Sequence, residues 1–414
     1  MQILDNQVKN RHLFNPFYLF AVIWTVVVLL YSLHFSTAYP SLPIELAIFF
    51  LIVILISVFL GFIFDRLFLK NKSYIVFYEP KPLWPLLVVC WVGFLLAVIH
   101  CGYVPLVEVL RGNVELYQEF GIKTITFVFV SLTIAVSCIS SVYLFYGSSH
   151  KGENLMVILL CWAIFLLSYS RGLLICCFLI SFIIGLSRIR MSIQTILLIL
   201  FVGMFGLLFF NITGNMRHGY GPFDSSYICE IAKFNPNYMF LSNFSWGIVY
   251  IETPLGNLIY NYVHGLTEMD PKGLFAMLLP DFFSKRIFPD YNSTLYLYIP
   301  NLTVSSMWAG AFKYGGIVGL ILAYIEYASF FFIMPAITRK SKIFSIGIFG
   351  SLAAISLLSF FQNMVTYSGF SFFIVFLILY YFYKRKEEVS LPIEVMSVLC
   401  EETTPRKIED YSSI

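Results

Sequence analysis

The sequence predicts an all-α polytopic membrane protein with about ten transmembrane helices. Hydrophobic residues make up 59% of the 414-residue chain, charged residues only 12%, and the mean hydropathy is +0.83. A soluble chain carries about twice that charged fraction. Uncharged apolar runs of roughly 17–25 residues, the length with which a helix crosses a bilayer, recur along the chain. Together these observations exclude a soluble fold.

The apolar runs place the predicted helices in order. We expect them near 17–36, 43–64, 84–100, 125–146, 155–170, 172–187, 192–212, 314–336, 343–361 and 368–384. Only Arg171 separates the fifth from the sixth, which predicts a tight helical hairpin. No internal repeat is evident. We therefore expect a single transmembrane domain over residues 1–384, followed by a polar cytoplasmic tail at 385–414.

The positions of Lys and Arg predict how the chain is oriented. With the N-terminus inside, 17 of the 26 Lys and Arg residues fall in the inside loops and tails. Short cytoplasmic loops of membrane proteins carry such an excess of basic residues. Both termini are therefore expected in the cytoplasm. The loop at 101–123 and the long segment at 213–307 are expected on the outer face.

The long segment at 213–307 is predicted to be folded. It exceeds the length of an ordinary connector, and aromatic and aliphatic residues run through it. Pro254 and Gly256 interrupt its apolar stretch at 243–264, and proline breaks helices. We therefore expect two short helices there, lying at or dipping into the membrane interface. Residues 274–290 are predicted to form a second interfacial piece.

The Arg217–His218 pair and Arg171 predict a site for an anionic ligand at the outer membrane boundary. Arg217 and His218 follow the seventh predicted helix directly, in the stretch GNMRHGYG. Arg can bind a diphosphate through two hydrogen bonds, and His can move a proton near neutral pH. Arg171 is costly between two apolar helices unless it meets water, a partner or an anion. The alternative is that Arg217 contacts lipid phosphates and Arg171 snorkels to the surface.

Four stretches carry a resemblance to a known family. They are YVPLVEVLRGNVELYQEFGI (103–122), SYSRGLL (168–174), WGIVYIETPLGNL (246–258) and NLTVSSMWAGAFKYGGIVGLIL (301–322). In this order they resemble the bacterial O-antigen polymerases (Wzy-type), the oligosaccharide repeat unit polymerases. The sequence departs from the family pattern where Lys-Tyr-Gly at 313–315 replaces Asp-Phe-Gly, and where Val304 replaces a frequent Thr.

The resemblance implies a C-type glycosyltransferase fold in the bacterial inner membrane. The expected reaction is polymerisation of undecaprenyl-diphosphate-linked O-antigen repeat units at the periplasmic face, by transfer of the growing glycan to the non-reducing end of a new lipid-linked unit. A leaving diphosphate requires stabilisation of negative charge. No metal-ligand spacing occurs in the sequence, so we expect a metal-independent enzyme without a cofactor. Expected partners are the lipid-linked oligosaccharides, a chain-length regulator of the Wzz type, a flippase and membrane lipids, but no nucleic acid.

Twelve residues are predicted to form the site. Residues that could stabilise the diphosphate or accept the acceptor proton are the catalytic candidates: Arg217, His218, Glu252 and Asp224. The substrate-binding candidates are the cations Arg171, Arg286, Lys285 and Arg111, the aromatic residues Trp246, Tyr250 and Tyr260, which could stack on sugar rings, and His264. An ordinary membrane-surface pair is the alternative for Lys285 and Arg286, and a structural role is the alternative for His264. For such aromatic residues, packing in a core or an interface is the commoner use.

Two other activities are compatible with the sequence. An O-antigen ligase shares the architecture but transfers finished glycan to lipid A core. Its His-Ser/Thr-x-Gly pattern does not occur in the long segment, because Gly follows both His218 and His264. A lipid-linked oligosaccharide flippase would show more spans, internal repeats and more charge within its helices than Glu326 provides.

Overall fold

The computed structural model describes residues 15–69, 82–111, 113, 119–122, 125–147, 149–189 and 192–383. Within these residues the regular structure is helical and no strand forms, although Ser36 and Phe234 make an isolated antiparallel bridge. The predicted all-α fold class is therefore confirmed. The predicted cytoplasmic tail at 385–414 lies outside the described residues.

The described residues form fifteen α-helices. In chain order they are α1 (Pro16–Ser32), α2 (Ile44–Phe64), α3 (Trp84–Cys101), α4 (Pro105–Leu110), α5 (Ile125–Tyr146), α6 (Lys151–Leu167), α7 (Arg171–Leu186), α8 (Ile193–Arg217), α9 (Ser226–Ile231), α10 (Ser245–Val263), α11 (Pro271–Leu278), α12 (Asp281–Ile287), α13 (Ala309–Thr338), α14 (Lys342–Leu358) and α15 (Ser368–Tyr383). A π-helical turn at Asp65–Leu69 continues α2, and a 3₁₀ segment at Pro236–Phe244 precedes α10.

A helix forms at each of the ten predicted spans, and several of these helices suit a membrane. Within the described residues, five are long and apolar enough to cross one: Ile44–Leu69, Trp84–Cys101, Ile125–Tyr146, Ile193–Met216 and Ala309–Thr338. Four more are apolar but shorter: Pro16–Ser32, Arg171–Leu186, Lys342–Leu358 and Ser371–Tyr383. The protein therefore has the character of a membrane protein, and ten crossings stay a prediction.

Helix α5 lies at the centre of the bundle and packs against α3, α6, α7, α14 and α15. Its buried surface is rich in small side chains: Ser131, Ala135, Ser137, Cys138, Ser140 and Ser141. Small residues allow membrane helices to approach closely. The hydroxyls of Ser141 and Ser181 lie 2.7 Å apart and join α5 to α7. These small side chains therefore let neighbouring helices approach α5 closely.

Helix α13 is broken at Gly316, whose φ of 54° and ψ of −138° are not helical. The ring of Trp308, just before α13, lies 6.4 Å from that of Tyr324. In a straight helix, residues so far apart in sequence would be about 24 Å apart. A Cβ added at Gly319 would collide with the carbonyl oxygen of Ala311. The first two turns of α13 therefore fold back along its main part.

The long segment lies at one end of the bundle, which we call the loop end; Ile44, Ile125 and Arg217 also lie there. Helix α10, its longest helix, continues without interruption through Pro254 and Gly256. The prediction of two short helices broken at Pro254 is therefore wrong. Proline removes one hydrogen bond from a helix, and burial of α10 on most of its surface offsets that loss.

Candidate functional site

Two asparagines hold the end of α8 against the start of α10. Oδ1 of Asn211 accepts a hydrogen bond from the backbone N–H of Trp246 at 3.1 Å, and Oδ1 of Asn215 accepts one from the Trp246 indole N–H at 2.7 Å. The amide groups of both asparagines donate to the Ser225 hydroxyl, at 3.0 and 3.4 Å. We call this buried polar cluster the α8–α10 junction. It fixes the backbone that carries Arg217 and His218.

Rings pack around His218 on the outer side of this junction. The His218 ring is stacked on Tyr227, with centroids 4.2 Å apart, and on Trp246, at 5.3 Å. Gly219, with a φ of +79°, reverses the chain and brings Tyr220 to 5.5 Å from Tyr227. The His218 ring is thus held in one orientation beside the end of an apolar helix.

Arg217 is the last residue of α8, one position before His218. The sequence predicts that the seventh helix ends near residue 212, but it continues five residues further, so Arg217 lies in its last turn and His218 follows it directly. The side chain of Arg217 lies outside the described residues. Its predicted role in binding a diphosphate therefore stays a prediction.

The two aromatic residues at the start of α10 are packed inside the protein or against it. Trp246 is only 4% exposed, and a Cβ at Gly214 would lie 2.7 Å from its ring. Tyr250 packs edge-on against Phe210, with centroids 5.1 Å apart. Trp246 has no open ring face on which a sugar could stack, although the sequence predicts that role for it. Tyr220, which is 37% exposed, offers one instead.

Glu252 is buried at the middle of α10, with 1% of its surface exposed. Its two carboxylate oxygens accept hydrogen bonds from the backbone N–H groups of Phe35 and Ser36, at 3.1 and 3.0 Å. Burial raises the pKa of the carboxyl to about 8, although both hydrogen bonds act in the opposite direction. Glu252 thus fastens the α1–α2 connection to α10, in a place that a sugar hydroxyl does not reach.

Asp224 has the opposite environment. It is exposed, and its Oδ1 accepts a hydrogen bond from the Ser226 N–H at 3.1 Å. The hydrogen bonds from Ser226 lower the pKa of Asp224 below its usual value. Asp224 is therefore ionised at neutral pH and lies between Tyr220 and Tyr227 in the chain. Of the two predicted acids, this is the one that a ligand outside the junction can approach.

Tyr260 and His264 lie at the far end of α10. The Tyr260 ring packs against His264 and Tyr298, with centroids 4.4 and 5.1 Å apart, and the carbonyl of Tyr260 lies 2.8 Å from the Nδ1 atom of His264. Helical rise places Tyr260 about 21 Å along α10 from Trp246. The structure therefore puts these two candidates in a separate place from His218.

The remaining cations are distributed over the loop end. Arg171 begins α7, where its guanidinium lies 5.2 Å from the ring of Tyr169, a residue with a φ of +54°. α7 packs mainly on α5, α6 and α14, whereas α8 packs on α10. Arg171 and Arg217 thus lie on helices that pack against different neighbours.

The other three predicted cations have local partners. Nζ of Lys285 lies 3.2 Å from an oxygen of Asp281, and Nη1 of Arg111 lies 2.8 Å from an oxygen of Glu108. The guanidinium of Arg286 lies 3.8 Å from the centre of the Phe282 ring. All three cations are exposed, so an anionic ligand can approach them.

Sequence reasoning missed the asparagines that organise this region. Asn211 and Asn215 are one turn apart at the end of an apolar helix, and Asn257 and Asn261 repeat that spacing on α10. Asn257 donates to the carbonyls of residues 302 and 304, and Asn261 pairs with the backbone of residue 296. A polar pair one turn apart within an apolar run is the signal that could have identified both sites.

No family model, curated protein or solved structure matches this chain. Within the described residues, no group of three or more His, Cys, Asp or Glu side chains could hold a metal ion.

Proposed function

We propose that this chain is a membrane glycosyltransferase that polymerises undecaprenyl-diphosphate-linked oligosaccharide repeat units on the periplasmic face of a bacterial inner membrane. The observation that carries the proposal is Arg217-His218 at the end of an apolar helix, with the His218 ring stacked on Tyr227 and Trp246 beside the α8–α10 junction. The sequence resemblance to O-antigen polymerases supports it. Ten crossings and a C-type glycosyltransferase fold are part of the same proposal.

In the proposed reaction, the growing glycan is the donor and a new lipid-linked repeat unit is the acceptor. A hydroxyl oxygen of the terminal acceptor sugar attacks the anomeric carbon of the donor. The bond from that carbon to the diphosphate breaks, and undecaprenyl diphosphate leaves with the electron pair. A single displacement inverts the configuration of the anomeric carbon.

Two needs of this step match residues of the loop end. Negative charge that develops on the diphosphate needs cations, and Arg217 is our first candidate, with Arg171 and Arg286 as further phosphate ligands. The proton of the acceptor hydroxyl needs a base, for which we propose His218 first and Asp224 second. The burial of Glu252 between two backbone N–H groups gives it a positioning role in this proposal.

The proposal is tested by complementing a deletion strain and separating its lipopolysaccharide by gel electrophoresis. We expect Arg217→Ala and His218→Ala to leave a single repeat unit on lipid A core. Arg339→Ala, an exposed arginine at the opposite end of the bundle, is the matched control and should restore long chains. Normal long chains from Arg217→Ala would contradict the assigned role. Loss of every repeat unit in the deletion strain would instead indicate a ligase or a flippase.

A further inference from the structure

Two short helices of the loop end, α11 and α12, expose large apolar side chains. Phe275 on α11 is 57% exposed, and Phe283 and Ile287 on α12 are 42% and 60% exposed. On α11 the opposite face, formed by Gly273 and Ala276, is buried. Both helices thus pack on the protein with one face and present an apolar face outward.

The depth of α11 can be read from its contacts. Leu274 packs where a Cβ of Gly315 would lie, and Met277 packs in the same way against Gly310. Gly310 is two residues from Trp308, whose ring contacts Phe50 with centroids 6.1 Å apart. Phe50 lies six residues, or about 9 Å of helical rise, below the loop end of α2. Helix α11 therefore packs on the first two turns of α13, at about the level of the outermost turns of the span candidate α2.

Helix α12 lies at a similar level. The N–H of Asp281 donates to the carbonyl of Thr366 at 2.8 Å, and the ammonium of Lys285 lies 5.9 Å from the Tyr367 ring. The Tyr367 ring in turn lies 6.5 Å from Phe127, the third residue of the span candidate α5. These contacts tie α12 to the loop ends of α5 and α15.

The two faces of α12 differ in chemistry. Phe283 and Ile287 are four residues apart and share one face, whereas Lys285 is two residues from each and lies on the opposite face. Helix α12 thus has an apolar face and a face with a cation, and it lies at the level where the spans end. This arrangement suits the boundary between the acyl chains and the phosphates of a membrane.

We propose that α11 and α12 lie in the membrane–water interface of the loop end and bind outer-leaflet phospholipids. Phe275, Phe283 and Ile287 contact the acyl chains, and Lys285 faces the phosphate and water layer. This surface would hold the loop end on the membrane, whichever reaction the protein catalyses. It assigns a lipid-binding role to residues outside the α8–α10 junction.

Labelling single cysteines with an environment-sensitive fluorophore tests this proposal. Among the described cysteines, Cys101 and Cys229 are partly exposed and the others are buried. A background with Cys101, Cys229 and Cys400 replaced by Ser is labelled at Phe283→Cys or Ile287→Cys. The protein is reconstituted into vesicles of phosphatidylethanolamine and phosphatidylglycerol. Lys285→Cys, on the opposite face of the same helix, is the matched control, and Phe275→Cys repeats the test on α11.

We expect a nitroxide at the top of the acyl chain to quench labels at 283 and 287 several-fold more than the label at 285. Iodide in the water phase should give the reverse order. Equal quenching at the three positions would overturn the proposal. Labels at 283 and 287 that neither quencher reaches would also overturn it, because a protein partner would then cover this face. If one variant does not fold, the other positions give the same comparison.

Discussion

Glu252 offers a quantitative test of how the loop end is assembled. The carboxyl group is buried, and its partners in the structure are two backbone N–H donors, those of Phe35 and Ser36. These donors favour the carboxylate, whereas burial favours the neutral acid, and burial prevails because the pKa rises to about 8 from an ordinary value of 4.5. Replacing Glu252 with Gln removes the titration and places an amide N–H₂ group against one of the donors.

The difference between the pKa of Glu252 in the folded protein and in the unfolded chain sets how stability depends on pH. The folded protein retains its proton at Glu252 up to a pH of about 8, whereas the unfolded chain loses it near 4.5. Between these values the folded state binds more protons, so the free energy of unfolding falls as the pH rises. A shift of 3.5 units corresponds to about 5 kcal/mol at 1.36 kcal/mol per unit, an order-of-magnitude upper limit. Gln has no such slope, and the lost hydrogen bond costs about 1–3 kcal/mol at every pH.

The assay is the thermal unfolding midpoint of the purified protein in detergent micelles between pH 5 and pH 9. We expect the thermal midpoint of the wild type to exceed that of Glu252→Gln at pH 5. The difference should shrink as the pH rises towards 8 and reach its smallest or reversed value above pH 8. A difference that stays constant, or that grows as the pH rises, would refute the view that burial raises the pKa of Glu252.

Two further predictions concern the junction and the fold-back of α13. Trp246→Phe removes the indole N–H from the buried Oδ1 of Asn215 and should lower the free energy of unfolding by about 1–3 kcal/mol. An unchanged thermal midpoint would contradict the view that this hydrogen bond holds α8 against α10. Gly316→Ala places a Cβ at a φ of +54° and should cost about 1–3 kcal/mol. Gly203→Ala, on α8 with no atom within 4 Å of the added Cβ, is its control and should cause no loss.

The positions of the helices were predictable because hydropathy is a local property. Each of the ten apolar runs became a helix, although the seventh helix continues five residues past its predicted end and includes Arg217. The break expected at Pro254 did not occur, because a proline costs a helix about 3 kcal/mol and tertiary burial can exceed that. Burial of α10 depends on contacts that hydropathy does not describe.

The arrangement of the candidate site was predictable only in part. The sequence identifies His218 and Trp246 as separate candidates. Their stacking depends on hydrogen bonds that Trp246 donates to Asn211 and Asn215, across about thirty residues of chain. The partners of Glu252 are more than 200 residues away in the sequence. Contacts of that separation leave no local pattern, so a buried structural carboxyl and a catalytic acid look alike in one sequence.

Polymerisation by the purified protein tests the central proposal most directly. The assay supplies a synthetic undecaprenyl-diphosphate-linked repeat unit to the protein in vesicles and separates the products by length. We expect a ladder of multiples of the repeat unit, each linked to one lipid diphosphate, and no ladder from Arg217→Ala. Products of one unit only, or transfer that occurs only when lipid A core is added, would contradict the proposed polymerase.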